Sequence, residues 1–173
     1  MTNILFTADL HLGHNNLVKR GQRPFSTCEE HDQVLMDNWN NKINKSDLIY
    51  ILGDVVWNNE FSILDKFNGQ KIIIKGNHDK TKHLEIAKAK GYICNWHYQK
   101  GLTIDNKFLY MQHFSCRSWE RSFHGSYHIY GHSHGTLEDY KLSTDIGVDC
   151  WNFTPVNWEE LKAYMEAKKV EDK

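Results

Sequence analysis

His132 and His134 stand one residue apart in YGHSHG, residues 130–135, between two glycines at the end of an apolar run. In an extended segment alternate side chains share a face, so both imidazoles reach one space while Ser133 points elsewhere. The flanking glycines let neighbouring backbone come close. A lone His-x-His pair is also an ordinary surface or core feature, so the rest of the chain must decide. ILFTADLH supplies Asp9 and His11, LIYILGD supplies Asp54, KIIIKGNHD supplies Asn77, His78 and Asp79, and FLYMQH supplies His113. Taken singly, Asp9 reads as a turn residue, Gly53-Asp54 as a loop, Gly76-Asn77 as a hairpin signal and His113 as a hydrogen-bonded core histidine. Together they place metal-competent side chains wherever an apolar run ends, which those separate explanations leave unaccounted for.

The donor set has chemical sense. Asp9, Asp54, the Asn77 amide oxygen and the imidazoles of His11, His113, His132 and His134 make seven ligands, too many for one tetrahedral ion and suited to two. Asp54 has two oxygens with which to bridge. Imidazole-rich, thiolate-free coordination favours Mn, Fe, Ni, Co or Zn over Ca or Mg. Two divalent ions against two aspartates leave the site about +2, ready for a phosphate and a bound hydroxide.

The elements that must position these residues are short. Branched and aromatic runs at 3–8, 48–52, 71–75, 108–112 and 127–130 read as strands. Helices are expected over 27–42, opened by Ser26-Thr27-Cys28-Glu29 and carrying Val34, Leu35 and Trp39; over 59–68, carrying Phe61, Leu64 and Phe67; and from Asn157. The last has Glu159 and Glu160 in its first turn and Lys168 and Lys169 in its last, with Trp158, Leu161 and Met165 inward. The fold class is therefore α/β, one domain over 1–173, with a frayed tail from about Val170. In an open α/β sheet the carboxyl ends of the strands converge on the ligand site, so distant residues would meet there.

Composition narrows the classes. With 173 residues, 40% apolar, 25% charged and a net charge of -1, the chain is globular and has no excess of basic charge to grip extended duplex nucleic acid. MTNILFTADL does not read as a signal peptide, and no stretch approaches a membrane span. Cys28, Cys94, Cys116 and Cys150 lack paired spacing, so reduced thiols and a cytoplasmic setting are expected.

The series DLH, GD, GNHD, H and GHSHG, in this order, closely resembles the calcineurin-like metallophosphoesterases. LGHNNLVKRGQRPF and VDCWNFTPVNWEEL resemble their small, single-domain bacterial and phage branch. The resemblance implies a four-layer α/β/β/α sandwich and two divalent transition ions, manganese first among them. It implies Asp9, His11, Asp54 and His134 around one ion and Asp54, Asn77, His113 and His132 around the other, with a hydroxide between. His78 would approach the phosphoryl group and the leaving oxygen, with Asp79 as its orienting partner. YMQHFSCRSW departs from the family, which commonly has a small residue before this histidine and a proline soon after.

For substrate contact the candidates are Arg20, Arg23, Arg117 and Arg121, with Trp119, Phe123, His124 and Tyr127 interleaved near them. Such a mixture could clamp phosphate and stack a base, against the plainer alternative of solvated arginines and core aromatics. The expected function is hydrolysis of a phosphodiester, a nucleotide or cyclic nucleotide among them, or of a phosphomonoester, by a monomer or small homo-oligomer. A non-catalytic scaffold on the same fold, or a metal-storage protein, are the alternatives. A scaffold should have lost a ligand or His78, and none is missing.

Overall fold

The computed structural model describes residues 2–168. Along the chain come β1 (Ile4–Thr7), α1 (Asn15–Lys19), α2 (Cys28–Lys42), β2 (Leu48–Ile51), a 3-10 helix (Phe61–Lys66), β3 (Gln70–Ile74) and α3 (Thr81–Ala89). There follow β4 (Asn95–His97), β5 (Gln99–Ile104), β6 (Lys107–Gln112), a 3-10 turn (Ser122–His124) and β7 (Tyr127–Tyr130). β8 (Ser143–Asp145), a second 3-10 turn (Val148–Cys150), β9 (Val156–Asn157) and α4 (Trp158–Glu166) complete it.

All five expected strands form. They divide between a five-stranded sheet, β4-β3-β2-β1-β9, and a four-stranded one, β5-β6-β7-β8. β1, β2, β3 and β4 are parallel, as are β6, β7 and β8; β5 and β9 run antiparallel to their neighbours. The period of two sorts the first sheet into two cores. Leu5, Ile49, Ile51 and Ile73 face Leu35 and Trp39 of α2 and Leu84 and Ala87 of α3. Phe6, Tyr50, Leu52 and Ile74 face Leu109, Met111, Tyr127 and Ile129 of the second sheet, joined by Trp158, Leu161 and Met165 of α4. Truncating any of the fully buried isoleucines to alanine would cost about 2–5 kcal/mol.

The layers are those of the metallophosphoesterase sandwich, with the layer over the second sheet thinned to an irregular one. There the 114–126 segment lays the buried Trp119 ring 5.4 Å from His128. His128 is itself fixed by the Tyr110 carbonyl at 3.1 Å and the Cys116 N–H at 3.1 Å.

Helix boundaries follow their caps. Thr27 Oγ1 accepts the Glu30 N–H to open α2, and Asn157 and Glu160 exchange hydrogen bonds to open α4. The helix expected over 59–68 is instead the 3-10 helix. Phe61, Leu64 and Phe67 recur every three residues, the repeat that lines one face of a 3-10 helix, and all three are buried. Lys168 lies beyond α4 and pairs with Asp139 at 2.6 Å, while Lys169 and the expected frayed tail lie outside the described residues. α1, α3, β4, β5, β8 and β9 were not expected. Among the described residues no helix is long and apolar enough to cross a membrane, and all four cysteines are free.

Candidate metal centre

Each expected ligand lies just past the end of a strand, and the parallel registers bring those ends together. Thr7 of β1 lies opposite Ile51 of β2, so Asp9 and Asp54 leave neighbouring strands on the same side. The loops then turn sharply. Asp9, His11, Asp54, His132 and His134 all have left-handed backbone, with φ of 57°, 48°, 53°, 68° and 48°. This conformation is uncommon for residues with a Cβ and marks functional loops held by their surroundings. The pair in GHSHG therefore does not share a face by strand alternation, as its spacing suggested. β7 has ended at Tyr130, and two successive turns aim the rings instead.

Those turns are tied down by carboxylates. Asp145 accepts the Ser133 hydroxyl and the Gly135 N–H on one oxygen and the Gly147 N–H on the other. Asp9 Oδ2 accepts the His132 N–H at 2.8 Å. Glycine is required where the loops touch: a Cβ on Gly131 would sit 2.5 Å from Asp9 Oδ2, and one on Gly76 would sit 2.3 Å from Asp54 Oδ1.

Two donor clusters result, Asp9–His11–His134 and Asp54–His113–His132, each with its ligand atoms within 4.8 Å of one another. Asp54 joins them. Its Oδ2 lies 3.8 Å from His11 Nε2 and 3.6 Å from His113 Nε2. Its Oδ1 accepts the His78 N–H at 2.9 Å. His113 Nδ1 donates to the Leu52 carbonyl at 2.7 Å, which turns Nε2 toward Asn77 Oδ1 at 2.9 Å. His134 Nδ1 likewise donates to Asp149 Oδ2 at 2.7 Å, leaving Nε2 for the site.

The residues fit divalent cations. Asp9 Oδ1 and His11 Nε2 are buried without hydrogen-bond partners, an arrangement a protein tolerates where an ion takes those lone pairs. Burial pushes the Asp9 carboxyl well above its usual range; the nearby His134 draws it back in part, and Asp145 and Asp54 push it further up. Added positive charge relieves that. Burial drives His11 down to about 2 and also lowers His132, so both rings are neutral and able to ligate. His134 is raised, first by its bond to Asp149. Burial alone would raise Asp149, but its bonds to His134 and Arg23 bring it down to about 2.

A third cluster, Cys28–His31–Asp32, is a different kind of place. The Arg23 guanidinium donates to His31 Nε2 at 2.6 Å, and burial pushes the Cys28 thiol up to about 11. A cation already sits there.

His78 is half-exposed beside the two clusters, its Nε2 3.9 Å from Asp54 Oδ2 and its ring 4.8 Å from that of Trp57. A cleft of about 510 Å³ opens here, lined by His11, His14, Gln22, His78, Ser133 and Thr136 among others. Asp79 does not orient His78. It is buried behind the site, accepting the N–H groups of Asp54, Val55 and Gly76.

The substrate candidates mostly lie elsewhere. Arg23 does line the cleft, but it is 2% exposed with its guanidinium turned inward. Trp119 is core, its Nε1 donating to Ser126. Arg121 stacks on Phe108 at 4.5 Å, at the far end of β6 from His113, and exposed His124 belongs to the same 3-10 turn. Arg117 lines a separate hollow with Cys116, Tyr130 and Leu137. Arg20 is exposed at the end of α1, outside the lining of the cleft. Sequence reasoning passed over Asp149, Asp145, His14, Trp57 and Phe114. His14 and Trp57 stack at 3.5 Å beside His11, and Phe114 stands half-exposed with its ring 4.6 Å from that of His132. Their signal was proximity in sequence: Phe114 directly follows the ligand His113, Trp57 comes three residues after Asp54, and Asp149 is an acid in an otherwise apolar turn.

The model of the calcineurin-like phosphoesterase family matches residues 2–116. The chain belongs to this family. It is accordingly a metal-dependent phosphoric ester hydrolase, binding divalent ions. An uncharacterised protein of Methanocaldococcus jannaschii is 30% identical across 98% of this chain and 95% of its own. The Gene 66 protein of Mycobacterium phage L5 is 34% identical over 87% of this chain and 88% of its own. Among solved structures, a protein of unknown function from Aquifex aeolicus aligns over 95% of this chain and 100% of its own, with a TM-score of 0.75 at 23% identity. The family match ends before His132 and His134, so that side of the site rests on the geometry above.

Proposed function

We propose that this phosphoesterase hydrolyses small phosphate diesters with two divalent ions, manganese the best match to its mixed carboxylate, amide and imidazole donors. The observation that carries this is the position of Asp54 Oδ2, between His11 of one cluster and His113 of the other. Asp9, His11, Asp54 and His134 would hold the first ion, and Asp54, Asn77, His113 and His132 the second. Ions so held would supply polarisation of a phosphoryl oxygen and a water of lowered pKa.

The protein supplies the rest. His78, at the mouth of the cleft, is placed to hand a proton to the departing oxygen. The cleft, about 510 Å³, has room for a small ester. Its exposed polar lining is neutral apart from histidine, since Asp149 and Arg23 neutralise one another. A monoester dianion would need a further cation there; a diester monoanion does not. With a net charge of -1, a nucleotide-sized ester fits better than a duplex. We place this activity in one domain, in a reducing cytoplasm that suits four free cysteines.

The test is turnover of an aryl phosphodiester by metal-free protein reconstituted with Mn, set beside the matching monoester. The diester should be the faster, and chelation should abolish both rates. A monoester preference would reverse the substrate assignment, and activity indifferent to chelator would end the metal mechanism.

A further inference from the structure

Arg23 spends every donor it has. Nε and Nη2 grip the two oxygens of Asp149 at 2.8 Å each, Nη2 also reaches the Asp9 carbonyl at 2.6 Å, and Nη1 reaches the Leu10 carbonyl at 3.0 Å and His31 Nε2 at 2.6 Å. That is all five N–H groups of a guanidinium, none directed to solvent. Two of the partners are carbonyls of the left-handed Asp9–His11 turn, and a third, Asp149, holds the ring of His134. The brace continues outward: His31 Nδ1 donates to Asp32, whose other oxygen accepts the Gly13 N–H.

We propose that Arg23 is a positioning residue for the first ion alone, locking the turn that presents Asp9 and His11 to the loop that presents His134. The inference rests on the two-ion reading above. The partners of Arg23 all lie on the first-ion side. The second cluster has its own supports, the Leu52 carbonyl behind His113 and the Asp79 carboxylate behind Asp54, and is tied to Asp9 through the His132 N–H. Lysine cannot substitute, because three donors on one nitrogen cannot span the two carbonyls and both Asp149 oxygens.

The experiment is a manganese titration of metal-free protein, followed by calorimetry and by electron paramagnetic resonance, in two backgrounds. His132→Ala should leave only the first ion, and His134→Ala only the second. Adding Arg23→Lys should weaken the remaining ion in the His132→Ala background by roughly 10–100-fold, and in the His134→Ala background by less than about threefold. Equal weakening in both would mean that Arg23 merely holds the fold, and weakening in neither would remove its role; either overturns the proposal. If circular dichroism shows that Arg23→Lys does not fold, Asp149→Asn is read in the same backgrounds by the same criteria. Wild-type protein that takes up only one ion, seen before any Arg23 variant is made, would overturn the two-ion reading itself and this inference with it.

Discussion

Asp79 stands directly behind Asp54, its Oδ2 accepting the Asp54 backbone N–H at 2.9 Å. The same carboxylate accepts the Val55 and Gly76 N–H groups, so it fixes the backbone of two ligand loops. Asp79→Ala would leave three buried donors without partners, at about 1–3 kcal/mol each before water enters. Urea denaturation of the metal-free variant should show a loss of roughly 3 kcal/mol or more, and metal uptake should fall with it. If Asp79 instead served His78, the variant would keep its stability and metals and change only the pH profile of turnover.

Asp54→Ala should empty both metal positions, because one of its oxygens lies between the two clusters. Elemental analysis after Mn loading should give about two ions per wild-type chain and close to none for the variant. A variant that kept one ion would confine Asp54 to a single cluster.

His78→Ala should keep the fold and both ions, because the main-chain N–H that bonds Asp54 remains. It should lose roughly 10²-fold or more on an alkyl ester, whose oxygen needs a proton, and much less on a nitrophenyl ester, which departs without one. Equal losses on both substrates would reject proton donation and leave only electrostatic stabilisation of the phosphoryl group.

Gly76→Ala should be far more damaging than Gly91→Ala. The first drives a Cβ into Asp54, whereas Gly91, at φ 79°, meets nothing within 4 Å and incurs only backbone strain of about 1 kcal/mol. Thermal melts and Mn titrations of the pair would separate packing at the site from glycine's conformational freedom.

His128, buried between the second sheet and Trp119, is lowered by burial to about 4, its hydrogen bond to Tyr110 opposing in part. The unfolded chain therefore binds a proton at higher pH than the folded one. The stability contributed by the neutral ring is complete above about 6.5 and is lost as pH falls toward about 4, on the order of 3 kcal/mol in all. Denaturation of metal-free protein across that range should carry this contribution beside that of His11, and His128→Gln should lessen the slope without removing it.

The donors and the strands that deliver them were legible because both are local: an apolar run followed by a polar punctuation needs no knowledge of distant partners. What was not legible depends on long-range packing. α3 was missed because only Leu84 and Ala87 on it are buried, too sparse a stripe to declare a helix. β5, an edge strand containing Gly101, buries nothing fully, and β8 is fully buried yet reads Ser-Thr-Asp. Arg23, in GQRPF, looked like a loop arginine. Its burial follows from Asp149, which lies 126 residues later. The aim of His132 and His134 depended on left-handed turns that their spacing alone could not reveal.

The span between Arg23 and Asp149 also sets an order of assembly. A nascent chain emerges from its N-terminus, so Asp9, His11, Asp54, Asn77 and His113 exist well before the acid that anchors His134. Until then Arg23 has no counter-charge, and the first sheet lacks β9 along one edge. The first-ion side of the site can therefore close only after the chain has been made through Asp149.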